Sequence, residues 1–122
     1  MGDKITTGIL PNENTYGGFA RYLRRCIKDT ATLTLEEAIS KITSTPAKKF
    51  RLTDRGILKV GAYADITIFN PETITDRGDT LHPRVYPKGI EYVFVNGEQV
   101  IKNGKHTGAT PGKILRRENK TD

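Results

Sequence analysis

Histidine and cysteine are the side chains best suited to holding a metal or attacking a carbonyl, and this chain offers His82, His106 and Cys26. A catalytic metal needs several ligands converging on one point, and helices or strands supply them by placing two imidazoles at i, i+2 or i, i+4. Neither His82 nor His106 has such a neighbour, so each reads as an isolated surface polar residue. Cys26 has no second thiol for a disulfide or a C-x-x-C site, and a lone cysteine among apolar neighbours is a small buried hydrophobe. There is no G-x-S-x-G nucleophile turn, no Ser or Cys beside a base, and no G-x-G-x-x-G or P-loop run, which removes the common acyl-transfer and phosphate-cradling motifs. The sequence predicts no metal site and no cofactor site of its own.

The elements that would have to carry such residues fall into two textures. From Tyr16 to Lys28, Phe19, Tyr22, Leu23, Cys26 and Ile27 recur at helical spacing and predict one apolar face. Arg21, Arg24, Arg25 and Lys28 lie on the other side, which reads as a solvated face. Thr34 and Glu37 form a capping box, in which each side chain satisfies a backbone N–H that the helix leaves unpaired. Leu35, Ala38, Ile39 and Ile42 continue that second helix, which should stop before Pro46. A short third helix is expected with Thr45 as N-cap, Pro46 as first residue, and Phe50 and Leu52 as apolar contacts.

Beyond Asp54-Arg55-Gly56 the pattern turns to short β-like runs, which divides the chain into a helical segment, 1–55, and a β-rich segment, 56–122. Ile57 to Val60 reads as a strand closed by Gly61, and Ala64 to Phe69 alternates Ala64, Ile66 and Ile68 with Asp65, Thr67 and Phe69. Asn70-Pro71 ends it. Residues 73–89 form a long irregular loop with Gly78, Pro83 and Pro87. Ile90 to Val95 and Glu98 to Lys102 should pair through a type I′ turn at Asn96-Gly97, and Asn103-Gly104 makes a second tight turn. The remainder, with Lys113, Arg116, Arg117 and Lys120, reads as an extended terminus. The fold class is therefore α+β, with mostly antiparallel strands.

Composition sets the outer bounds. One hundred and twenty-two residues with 35% hydrophobic content suffice for one modest domain and exclude a large complete enzyme. No apolar run spans a bilayer and no signal-peptide pattern opens the chain, so the expected compartment is the cytoplasm and no membrane is involved. A net charge of +6 without aromatics interleaved on a strand face supports only salt-sensitive attachment to nucleic acid, which is not expected as a partner.

Several runs resemble one enzyme family. Tyr16-Gly17-Gly18-Phe19-Ala20-Arg21-Tyr22-Leu23 is similar to the helix opening of N-acyl-D-amino-acid deacylases (D-aminoacylases) of the amidohydrolase superfamily. Leu33 to Ile39, Thr43 to Ala47 and Asp54 to Ile66 follow the C-terminal signature of that superfamily in order. Tyr86 to Val93 and Thr110 to Arg117 resemble the deacylases in particular. The resemblance implies the terminal helices of a TIM-like barrel followed by part of a small β-sandwich, with the metal-binding barrel strands and the strands that complete the sandwich lying upstream. It implies zinc as the cofactor of the complete enzyme, and amide hydrolysis in which a late aspartate shuttles protons. Asp3 is the catalytic candidate for that aspartate, although Gly2 and Lys4 depart from its usual neighbours. Asp65 belongs to the shared signature and is expected to hydrogen-bond to local backbone.

Two functions follow. The chain is either a fragment of such a deacylase, inactive until a barrel-bearing partner is supplied, or a non-catalytic module that associates with itself through open sheet edges as a homo-oligomer.

Overall fold

The expected capping box sets the register of the helical part. In the computed structural model, which describes residues 11–116, Glu37 N–H donates to Thr34 Oγ1 at 3.2 Å and Thr34 N–H donates to Glu37 Oε2 at 2.9 Å. Helix α2 therefore runs Leu35–Ile42. Ahead of it, α1 spans Asn14–Arg24 and continues as a single π-helical turn, Arg25–Asp29, and α3 follows at Ser44–Phe50. The N-cap of α3 is Thr43 rather than Thr45. Pro46 is thus the third helical residue, a position whose N–H the helix leaves unpaired in any case.

Strands β1 (Ile66–Phe69), β2 (Ile90–Val95), β3 (Glu98–Lys102) and β4 (Lys105–His106) form one antiparallel sheet in chain order. Ile66 faces Phe94 across β1 and β2, and Val95 faces Glu98 across β2 and β3. Both connecting turns have positive φ at their two central residues, Asn96 (51°) with Gly97 (83°) and Asn103 (50°) with Gly104 (72°), the geometry that a twisted hairpin selects. The turn at Asn103-Gly104 leads straight into β4. Two residues without apolar alternation give no strand signal in sequence, so β4 stands where the sequence predicts only an extended terminus.

The core lies between the two textures. Ala20, Leu23, Ala38 and Ile74 are buried together, with Cys26, Ile27, Leu33, Phe69 and Ile90 packed around them. Ile74 reaches this position because β1 is followed by a tight turn, in which Ile74 N–H donates to Asn70 O at 3.0 Å. Gly89, at φ 90°, lets the returning chain pass against it. A Cβ on Gly89 would sit 2.6 Å from Ile74 Cα, so no other residue fits there.

Three further expectations require correction. Ile57 to Val60 is not a strand. Among the described residues no strand runs beside it, and without a partner ladder an extended run has no reason to be a strand; Leu58 and Val60 are 83% and 104% exposed. Phe19 and Phe50 are also exposed rather than apolar contacts: the buried stripe of α1 consists of the smaller Gly17, Ala20 and Leu23, which allow closer approach, and α3 buries Ala47 instead of Phe50. Lastly, the basic side of α1 is not simply solvated. Arg21 pairs with Asp76 at 2.6 Å, Arg24 donates to Thr75 Oγ1 at 2.9 Å, and Lys28 reaches Glu72 Oε2 at 2.8 Å.

Candidate functional site

The structure keeps the candidate metal-ligating residues apart. His82 closes a turn in which Asp79 Oδ1 accepts the N–H groups of Leu81 (2.8 Å) and His82 (2.7 Å). Those donors, that of His82 first, hold the Asp79 carboxyl below its ordinary range. The imidazole of His82 is largely exposed and lies 3.3 Å from the same carboxylate. His106 is in β4, where its Nδ1 accepts from Gly108 N–H at 2.9 Å. Cys26 packs at the edge of the core as a free thiol. Among the described residues no three His, Cys, Asp or Glu side chains come together to hold a metal. They do not offer a zinc site, and no hydrolytic step can be routed through one. Asp3 lies outside the described residues.

A dense polar constellation is built around Asp65. Its Oδ1 accepts from Asn96 N–H at 2.8 Å, a backbone group on the β2–β3 turn rather than the local backbone expected of it. Its other oxygen accepts from Arg55 Nη1. The Arg55 guanidinium lies 4.1 Å over the Tyr63 ring and donates to Asn96 Oδ1 at 2.6 Å. Asn96 Nδ2 in turn donates to Pro111 O at 2.8 Å. Burial works to raise the Asp65 carboxyl, but the Asn96 N–H and Arg55 outweigh it and hold the group below its ordinary range. A carboxylate so fully engaged is a poor general base. Its effect is to tie the segment before β1, the β2–β3 turn and the chain after β4 to one point.

Sequence reasoning finds Asp65 but not Arg55 or Asn96 as its partners. Asn96 stands out in sequence for its turn conformation, and nothing in its local pattern shows that its amide also faces Arg55. That pairing is visible only once β1 and β2 are aligned.

An open groove of about 510 Å³ runs along α1 between Asn14, Tyr22, Arg25, Cys26 and Thr30. Burial pushes the Tyr22 phenol up, and its hydroxyl donates to Ala38 O at 3.3 Å. A phenol raised in this way is a weaker nucleophile at neutral pH, and no base stands beside it. The described residues thus contain structural polar clusters and no assembled acid, base and nucleophile.

The amidohydrolase family pattern matches residues 4–101. N-acyl-D-glutamate deacylase of Alcaligenes xylosoxydans xylosoxydans is 42% identical over 95% of this chain, which corresponds to 24% of that enzyme. D-aminoacylase of the same organism is 36% identical over 88% of this chain and 22% of its own length. In structure, a D-aminoacylase variant in complex with copper chloride superposes with a TM-score of 0.83 at 36% identity, covering 88% of this chain and 23% of that one. An N-acyl-D-glutamate deacylase from Bordetella bronchiseptica, complexed with zinc and a phosphonate mimic of the tetrahedral intermediate, gives 0.72 at 38% identity, over 74% of this chain and 19% of its own. The chain spans about a quarter of the length of the curated relatives it matches. Sequence and fold agree along nearly all of that quarter, and the chain belongs to the amidohydrolase family.

Proposed function

We propose that this chain is the closing part of a zinc-dependent hydrolase that cleaves the amide bond of N-acyl-D-amino acids, and that it is inactive until the remaining three-quarters of such an enzyme is supplied. The observation that carries this reading is a pairing of two facts: 95% of the chain aligns with a deacylase of which it spans only 24%, and its described residues bring no metal ligands together. In this reading α1 to α3 are the terminal helices of a TIM-like barrel and β1 to β4 are part of a small β-sandwich. A barrel active site is assembled from the ends of several strands, so one end cannot replace the others.

Zinc, were it held by the rest of the enzyme, would supply an activated water. The contribution of this chain is Asp3, which takes the proton from the attacking water and returns it to the departing amine nitrogen. The cytoplasm is the proposed compartment; no helix among the described residues is long and apolar enough to cross a membrane.

The test is complementation. The purified chain is mixed or co-expressed with a D-aminoacylase lacking its matching last quarter, with zinc present, and release of free D-amino acid is followed. Activity from the mixture and from neither part alone is the expected result. Turnover by the isolated chain, or a mixture that binds but never turns over, would overturn the reading.

A second reading, a non-catalytic self-associating module, is favoured by the exposed apolar side chains of Leu58 and Val60, which lie outside the sheet. It predicts a concentration-dependent oligomer in sedimentation, and substitution of both residues by Lys would return that oligomer to monomer.

A further inference from the structure

Helix α1 has more apolar surface than the core of this chain uses. Its buried stripe is Gly17, Ala20 and Leu23, of which Ala20 and Leu23 share the core with Ile74. Phe19, Tyr22 and Cys26 form a second stripe at i, i+3 and i+7, whose centre stands roughly 120° round the helix from the first at about 100° per residue. A helix packed on one neighbour needs a single stripe, and a second one at this angle serves a second neighbour. The described residues fill that place only in part: Tyr22 and Cys26 are half-buried at the core edge, and Phe19 is 71% exposed.

This stripe floors a continuous hollow. The groove of about 510 Å³ along α1 joins another of about 300 Å³ lined by Phe19 and by Ile42 of α2, and the two share Asn14, Gly18 and Tyr22. No carboxylate lines either part. Arg21 is neutralised by Asp76 and Glu13, whereas among the described residues no carboxylate pairs with Arg25, on the rim of the larger groove. We propose that this face of α1 is the docking surface for the rest of the deacylase barrel, which receives Phe19 and sets an acidic side chain against Arg25. The identity of the occupant rests on the proposed function. Its size and place fit: the matching relatives carry about three-quarters of their length outside the matched part. In the proposed enzyme that remainder joins this chain ahead of Pro11, close in sequence to Asn14 at the groove. Charge argues against a second copy, because a symmetric dimer presents the same patch twice. Two unpaired Arg25 residues would then share one interface with no carboxylate in the groove to meet them, an arrangement that weakens association.

Cys26 is the only cysteine of the chain and lines the groove, so its alkylation reports whether the face is covered. The partners are a D-aminoacylase lacking its matching last quarter and a hybrid in which this chain replaces that quarter, which needs no separate fragment to fold. Maleimide labelling of Cys26, read by mass spectrometry of its peptide, is expected to slow at least about tenfold in the complex or the hybrid relative to the chain alone. Phe19→Ala and Arg25→Glu are each expected to weaken binding to the truncated partner at least about tenfold. Both side chains stand in solvent in the isolated chain, so its unfolding temperature should stay within about 3 °C of wild type. Cys26 as reactive as before in a hybrid that hydrolyses N-acyl-D-amino acids would overturn the docking face and leave the proposed function standing. Protected Cys26 without turnover would support the face and sink the function. A wild-type chain that neither binds the partner nor yields a folded hybrid would overturn both. Protection that instead grows with the concentration of the chain alone would give the face to a second copy and overturn the assignment to the barrel.

Discussion

Asp65 shows how much one side chain can join. Two of its partners, Asn96 and Arg55, lie on different segments, and each lowers the affinity of the carboxyl for a proton. A carboxyl with a lower pKa folded than unfolded binds fewer protons in the native state. Its contribution is therefore fully present above the unfolded value of about 4 and is lost as the pH falls through the lower folded one. Urea midpoints of the wild type should decline as pH drops from about 5 to about 3, and Asp65→Asn should flatten that part of the profile while lowering the midpoint at pH 7. A parallel decline in both proteins would remove Asp65 as a cause. The role proposed for Asp3 is chemical rather than structural. In the complemented enzyme Asp3→Asn should reduce kcat by about 10²- to 10⁴-fold, the range of a lost general acid–base group, with assembly intact by gel filtration.

Among the elements, those with local chemistry are legible in the sequence. The capping box of α2 is visible in Thr34 and Glu37 alone, and Thr34→Ala should cost about 1 kcal/mol in a denaturant titration. The strands Ile90–Val95 and Glu98–Lys102 are equally plain, because Asn-Gly fixes a turn type and the turn fixes the register. Ile57 to Val60 shows the opposite case. Its residues have strand character, yet a strand is a relation between two segments, and among the described residues no strand lies beside it. The face of α1 misleads at Phe19 for a related reason: periodicity locates an apolar stripe, but the close approach of residues 72–76 selects Gly17 and Ala20 as its centre. Of the candidate site, the isolation of His82 and His106 can be read from spacing, whereas Arg55 and Asn96 require the aligned sheet. Asp3, which the resemblance alone brings forward, lies beyond the described residues.

Among the described residues the packed interior is small, and the loop contributes Ile74 to it, which meets Ala20, Leu23 and Ala38 from the other side. Ile74→Ala should destabilise the chain by about 2–5 kcal/mol, the range for emptying such a site. For a small domain near the lower end of ordinary stability that is enough to unfold much of the population, and thermal unfolding followed by circular dichroism would report it. The Lys28–Glu72 ion pair lies at the surface and the Arg21–Asp76 pair is half-buried, and both contribute less, so raised salt should lower the unfolding temperature only slightly. The interior is shared by segments on both sides of Gly56, and between those segments runs the exposed stretch that holds Leu58, Lys59 and Val60. A trypsin nick after Lys59 would therefore sever the backbone without separating the molecule: two peptides would appear on a denaturing gel, while the nicked protein would still travel through a native column as a single particle.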